Sequence, residues 1–219
     1  MKHLLFKYKP KDILLALLIS LWVIVVAILI VTFIPYYYDH HIMSYHIPQL
    51  TGVSLENIKE TYHTIINYMW IFNRGSLNTP YFPMTEGTLI HFRECKVLFE
   101  VAQIYLIVGL VPIILLIRSC LKDHEVEFLK LSVIFNGLFF GIVGLIASID
   151  FDDAFVLFHK IFFRNDYWLM DPSIDPVINI FPESYFAFLA LSILVIVTVI
   201  SVVLLVIYRV KKKHLLESS

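Results

Sequence analysis

The segment Ile13–Ile34, with the sequence ILLALLISLWVIVVAILIVTFI, is 22 residues long and contains no charged side chain. A helix needs about 20 predominantly apolar residues to cross the roughly 30 Å hydrocarbon core of a bilayer. Lysines precede the segment, as in a secretory signal. Its apolar part is longer than the about 7–15 residues of a signal core, and no small-residue cleavage motif follows it. We therefore expect a retained membrane-spanning helix.

Three further segments have the length and composition of membrane spans. Val97–Ile117 has one acid, Glu100, near its start, whereas Leu131–Ile149 and Tyr185–Tyr208 are uncharged. Hydrophobic residues make up 59% of the chain and charged residues 16%, against about 45–50% and 25% in soluble domains. These features predict an all-α integral membrane protein with four transmembrane helices. The net charge of −1 gives no overall basic field that would indicate a nucleic-acid partner.

The four spans divide the chain into nine predicted regions. They are a tail (1–12), the first span (13–34), an extracytoplasmic segment (35–96), the second span (97–117), a cytoplasmic loop (118–130), the third span (131–149), an extracytoplasmic loop (150–184), the fourth span (185–208) and a second tail (209–219).

The charges predict which side each connection occupies. The two tails and the 118–130 loop hold 11 of the 17 bases and 5 acids, a net charge of +6, and the rest of the chain holds 6 bases and 13 acids, a net charge of −7. Because basic loops stay in the cytoplasm, we expect both termini there. The 35–96 and 150–184 segments then form a helical cap on the extracytoplasmic side of a multi-pass protein.

Each extracytoplasmic segment contains one predicted amphipathic helix. Apolar residues at helical spacing predict the first at about 55–72. Asp152 or Asp153 is expected to cap the second, near 153–163, which carries His159 among phenylalanines. Cys95 and Cys120 are 25 residues apart across the second span, roughly 37 Å along a helix, so no intramolecular disulfide is expected.

Two histidines, His91 and His159, fall at the same outer membrane level in this arrangement. Histidine is the usual general acid or base near neutral pH, so the pair suits proton transfer on a lipid-borne substrate. Structural hydrogen bonding is the alternative for both. A metal site at His40, His41 and His46 is a further alternative, although no His-Glu-x-x-His or paired-Cys motif is present. We expect no metal and no cofactor.

The region 151–185 contains a specific series of motifs. They are Phe158-His159 before Ile161-Phe162-Phe163, Asn165-Asp166-Tyr167-Trp168, Asp171-Pro172, Asp175-Pro176 and Phe181-Pro182-Glu183. Together with the His91 block entering the second span, they resemble the bacterial lipoprotein intramolecular transacylases. The resemblance covers most of the chain, including its four spans and large first outer segment.

The resemblance implies a reaction and a substrate. The sn-2 acyl chain of a diacylated lipoprotein moves to the α-amino group of its own N-terminal Cys, giving the lyso-form lipoprotein. We predict His159 as the base toward the amine, because its aromatic surroundings would keep it neutral, and His91 as the acid or oxyanion partner. The implied partners are the lipoprotein and membrane lipid, and the oligomeric state is left open.

Eight further residues are predicted to support catalysis or position the substrate. They are Arg93, Glu94, Glu100, Arg164, Trp168, Asp171, Asp175 and Glu183. Interface anchoring, turn formation and helix capping are the structural alternatives for these side chains. For the whole protein, the alternatives are an outward-facing metal-dependent membrane hydrolase and a non-enzymatic four-span scaffold.

Overall fold

The architecture is all-helical over the described part of the chain. A computed structural model describes residues 8–217, apart from the side chains of His40 and His41. Lys2 and Lys7 of the basic N-terminal tail lie outside the described residues. The helices are α1 (Pro10–Phe33), α2 (Tyr36–His41), α3 (Ile47–Thr51), α4 (Leu55–Tyr68), α5 (Glu86–Val108), α6 (Leu110–Lys122), α7 (Glu127–Ile149), α8 (Phe151–Phe162), a short 3-10 helix (Pro176–Ile180) and α9 (Glu183–Glu217).

Four helical segments between residues 8 and 217 are long and apolar enough to cross a bilayer. They are Pro10–Phe33, Glu86–Lys122, Glu127–Ile149 and Glu183–Glu217. The second segment comprises α5 and α6, which meet at Gly109. Pro112 has no N–H for the carbonyl of Val108, so the helical hydrogen bonds are interrupted here. The predicted all-α fold with four spans is confirmed.

The described residues form two compact units. The first consists of residues 8–28, 104–146 and 192–217. Its core is built from small and aliphatic side chains, among them Leu15, Ala16, Ala27 and Val197. Many apolar side chains of its helices are exposed, as expected of helices that face lipid.

The second unit consists of residues 29–103 and 147–191 and contains both predicted catalytic histidines. Its core combines tyrosine and phenylalanine rings with isoleucine, valine and methionine side chains. The rings of Tyr38 and Tyr62 are stacked with their centroids 3.7 Å apart, and the Tyr62 hydroxyl lies 2.8 Å from that of Tyr185. The Tyr38 hydroxyl donates to the carbonyl of Ile180 at 3.0 Å. Burial raises the pKa of Tyr62 to about 12, so the cluster is neutral.

The two amphipathic helices of this unit are present with different ends from those expected. Helix α4 ends at Tyr68, short of the predicted 72. The Gln103 side chain accepts the Ile71 N–H and donates to the Met69 carbonyl, so these groups no longer need helical partners. Helix α8 is capped by Asp150, which accepts the Asp153 N–H at 3.0 Å, and not by Asp152 or Asp153.

Candidate functional site

His91 and His159 lie together in the second unit. His91 is on α5 and His159 on α8, and their ring centroids are 5.9 Å apart. Each side chain is about 7% exposed. The structure therefore brings together two imidazoles that are 68 residues apart in the sequence, in a place where little water reaches them.

His159 is enclosed by aromatic rings. Trp168 stacks on it with a centroid distance of 4.7 Å, and Phe155 and Phe163 lie at 4.1 and 5.6 Å. Its Nδ1 lies 2.7 Å from the Phe155 carbonyl oxygen, which can only accept, so Nδ1 carries the proton and Nε2 has the lone pair. Burial lowers the pKa of His159 below its usual value. The ring is therefore a neutral base at Nε2 near pH 7.

His91 is less completely partnered. Phe163 packs edge-on against its ring at 4.7 Å, and Nε2 lies 3.5 Å from the Cys95 thiol, one helical turn further along α5. Its Nδ1 is buried and has no hydrogen-bond partner. A buried nitrogen without a partner is energetically unfavourable, so this atom is available to a ligand group.

Asn165 connects the segments that carry the two histidines. Its Nδ2 donates to Glu94 on α5 at 2.8 Å, its carbonyl accepts from Trp168 Nε1 at 2.9 Å, and its Oδ1 accepts from the Tyr167 N–H. A Cβ atom at Gly87 on α5 would lie 2.8 Å from the Tyr167 ring. The loop that carries Tyr167 can therefore pack this closely on α5 only because residue 87 is glycine. These contacts hold Trp168 over His159.

One side of α8 is apolar and exposed beside His159. Its members are Leu157, Phe158, Ile161 and Phe162. An amphipathic helix of this kind lies with its apolar face in a lipid surface. The apolar side of α8 beside His159 is therefore suited to contact with lipid.

Three of the predicted carboxylates have other partners. Glu100 lies nine residues from His91, about 14 Å along the helix, and its Oε1 is 3.4 Å from Arg74 and 3.6 Å from Lys96. Asp175 is buried and accepts the N–H and hydroxyl of Thr85, just before α5 begins.

Asp171 is exposed and accepts from Ser173 within its own turn. In the substrate-free structure these three carboxylates thus support loops and helix ends. Arg93, Arg164 and Glu183 are exposed.

The metal alternative concerns His40, His41 and His46. His46 is exposed, and the side chains of His40 and His41 lie outside the described residues. Within the described residues, the acidic and thiol groups close enough to share an ion are those of Asp12, Cys120 and Glu125 in the first unit. Lys9 and Lys11 already pair with Glu125.

Comparison with known proteins places the chain in a family. The family model described as lipoprotein intramolecular transacylase Lit matches residues 13–186. The chain belongs to this family. It is therefore a membrane acyltransferase of the bacterial lipoprotein-processing class, as the sequence resemblance predicted. No curated protein sequence gives a significant match.

Solved structures of a transacylase from this family have the same fold. The membrane-integral lipoprotein intramolecular transacylase Lit from Bacillus cereus superimposes with a TM-score of 0.86 and 29% identity, over 93% of this chain and 96% of that chain. Two further structures of the Bacillus protein carry a histidine substitution. The alanine form has a TM-score of 0.83 and 29% identity over 94% of each chain, and the arginine form 0.83 and 28% over 100% and 99%.

Sequence reasoning about this transacylase missed three residues of the site. For Cys95 the sequence predicts only the absence of an intramolecular disulfide, although its position four residues after His91 places it on the same helical face. Phe163 belongs to one of the sequence motifs, but nothing in the sequence predicts that it packs against His91. Asn165 was read only as part of a motif, and no spacing rule predicts its bridge to Glu94.

Proposed function

We propose that this transacylase moves the sn-2 acyl chain of a diacylglyceryl lipoprotein to the α-amino group of the same molecule's N-terminal Cys. The product is an N-acyl, S-monoacylglyceryl lipoprotein. The observation that carries the proposal is the buried pair His91 and His159, 5.9 Å apart between ring centroids. The family supplies the reaction class, and the pair supplies the groups for proton transfer.

The reaction needs two proton movements. The amine nitrogen attacks the sn-2 ester carbonyl and must lose a proton, and the glyceryl oxygen that leaves must gain one. His159 Nε2, which has the lone pair, is the base toward the amine. His91 is the acid toward the glyceryl oxygen or stabilises the oxyanion. General acid–base catalysis of this kind contributes about 10²–10⁴-fold.

No acyl-enzyme is required in this scheme. The acyl donor and the amine belong to one molecule, and aligned intramolecular pairs reach effective molarities of roughly 10⁵–10⁸ M. The protein therefore has to bind the lipoprotein in a conformation that brings the substrate's amine next to the substrate's sn-2 ester. The exposed apolar side chains of α8, among them Phe158 and Ile161, suit the acyl chains.

The contacts among basic segments support a common side for both tails and the 118–130 loop. Lys11 pairs with Asp123 and Glu125, and Lys212 lies 2.9 Å from Glu127. With the net charge of +6 in these three regions, the positive-inside rule favours the cytoplasm for them. The histidine pair would then face the extracytoplasmic side.

The test is mass spectrometry of a diacylated lipopeptide whose sn-2 chain is isotopically labelled. The purified protein in lipid should convert it without change of total mass, and the label should move from the glyceryl ester to the N-terminal amide. Release of labelled free fatty acid in place of amide would indicate a hydrolase and contradict the proposal. Transfer of the sn-1 chain would contradict its regiochemistry.

A further inference from the structure

Glu94 has one satisfied and one unsatisfied carboxylate oxygen. Oε1 accepts from Asn165 Nδ2 at 2.8 Å. Oε2 is shielded from water and has no hydrogen-bond partner. A buried carboxylate oxygen without a donor loses its hydration without compensation. The substrate-free site therefore has an unused acceptor three residues from His91, on the same face of α5.

The protein supplies no cation for this carboxylate within the described residues. Arg93, its neighbour in the sequence, is exposed and has no ion pair with it. Lys96 is committed to the backbone carbonyls of Tyr68, Trp70 and Asn73. His91 makes no hydrogen bond to Oε2, and His159, whose pKa is lowered by burial, provides no charge. A donor from outside the chain would satisfy this oxygen.

We propose that Glu94 binds the α-ammonium group of the lipoprotein's N-terminal Cys. This inference rests on the proposed function, since that reaction brings a primary amine to the histidine pair. An ammonium has donors and no acceptor, so it can satisfy Oε2 of Glu94.

The proton balance follows from this placement. The ammonium binds charged and gives one N–H proton to His159 Nε2, which leaves the neutral amine in place for attack. As the amide C–N bond forms and the ester C–O bond breaks, the second nitrogen proton passes by way of the histidine pair to the glyceryl oxygen. His159 releases the first proton to water, so the ammonium loses two protons, the glyceryl oxygen gains one and water takes up the other. Glu94 stays a carboxylate throughout and acts as the binding group for the amine.

The test compares two lipopeptides that cannot react, because both glyceryl chains are ether-linked. One has a free α-ammonium and the other is N-acetylated. We expect wild-type protein to bind the ammonium form at least about tenfold more tightly, as a charge-assisted hydrogen bond allows. In Glu94→Gln, which keeps an oxygen for Asn165 but loses the charge, the preference should fall to within about twofold.

Two variants serve as controls. Glu94→Asp keeps the charge and should retain most of the preference. Glu100→Gln removes a carboxylate of the same helix that pairs with Arg74 and Lys96, so it should bind both lipopeptides as the wild type does.

The outcomes separate this proposal from the proposed function. Equal binding of the two lipopeptides by wild type, or an unchanged preference in Glu94→Gln, would overturn the ammonium site. A Glu94→Gln protein that loses both lipopeptides equally would show a structural role and also overturn it. If wild-type protein does not convert a cleavable diacyl lipopeptide, the proposed function itself fails.

Discussion

Two neighbouring stretches of helix α5 differ in how their polar side chains are used. In residues 96–103, Lys96 donates to three backbone carbonyls, and Gln103 bonds to the backbone at both ends of its amide. In residues 91–95, His91 Nδ1 and Glu94 Oε2 are buried without partners. The first arrangement is complete without a ligand, and the second is not.

Hydrogen-bond partners distinguish structural from functional polar residues at the point where α5 enters the membrane. Lys96, Glu100 and Gln103 hold the chain that follows α4 against α5. Their burial is explained by their partners. The unsatisfied atoms of His91 and Glu94 have no such explanation, and buried polar groups in native structures are normally satisfied. The following variants test whether the two stretches really differ in this way.

The largest effect is expected from His159→Ala. Removing the proposed base should lower the rate of N-acylation by about 10²–10⁴-fold, measured as conversion of a diacyl lipopeptide by mass spectrometry. His63→Ala is the matched control, since His63 is 44% exposed and lies near Asp39. Near-normal conversion by His159→Ala would contradict the role of the pair.

Lys96→Met should mainly affect stability. It leaves three backbone carbonyls without their charged donor, so we expect a loss of about 3 kcal/mol in the free energy of unfolding. Thermal or denaturant unfolding in detergent measures this. Lys59→Met, whose Nζ lies 3.8 Å from Asp39 at the surface, should cost about 0–1 kcal/mol. An equally stable Lys96→Met would show that this stretch is not structural.

Trp168→Ala should shift the pH dependence of the reaction. Burial lowers the pKa of His159, and loss of the stacked ring admits water, so this pKa should rise toward its ordinary value. The neutral base is then populated only at higher pH, so the acidic limb of the pH profile of kcat/KM should shift to higher pH. The substrate amine titrates in the same way with the wild type and with Trp168→Ala, so it does not contribute to the difference between their pH profiles. Trp70→Ala, at an exposed ring, should leave the limb in place.

Cys95→Ala should have a small effect, within about fivefold in rate. The thiol lies 3.5 Å from His91 Nε2, an arrangement that also resembles an activated nucleophile. Intramolecular transfer needs no such nucleophile, so activity should persist and intact-protein mass spectrometry should show no acyl-thioester. Cys120→Ala in the first unit is the control. Loss of activity in Cys95→Ala alone would indicate covalent catalysis.

Glu100→Gln should have the smallest effect. Its carboxylate pairs with a mostly exposed Arg74, and such pairs contribute about 0–1 kcal/mol. Conversion rate and unfolding midpoint should both stay close to wild type, with the rate within about twofold. A large loss of rate would show that Glu100 takes part in the reaction as His91 does. It would contradict the distinction between residues 91–95 and residues 96–103 of α5.

The sequence was sufficient for the parts of the molecule that depend on composition and pattern. Four apolar segments predicted the four spans, because hydrocarbon thickness sets their length. The amphipathic helices were also predicted, but α4 ends early because the Gln103 and Lys96 side chains take over backbone groups beyond Tyr68. Such endings depend on contacts between distant residues, which helical periodicity does not encode.

The candidate site was predictable only in part. His91 and His159 were singled out by depth and chemistry, and the 151–185 motifs gave the family. The separation of Glu94 from Glu100 could not be foreseen, because both are acids on one helix near its outer end. Only the positions of Asn165, Arg74 and Lys96 show which carboxylate has an unsatisfied oxygen.

The most direct test of the account is a double-mutant cycle on the histidine pair. The N-acylation rate is measured for His91→Ala, for His159→Ala and for the protein with both substitutions. If the two imidazoles act as one acid–base unit, each single change costs about 10²-fold or more and the second adds little, as in other residues that act together. Fully multiplicative losses, or a wild-type rate in either single variant, would contradict it.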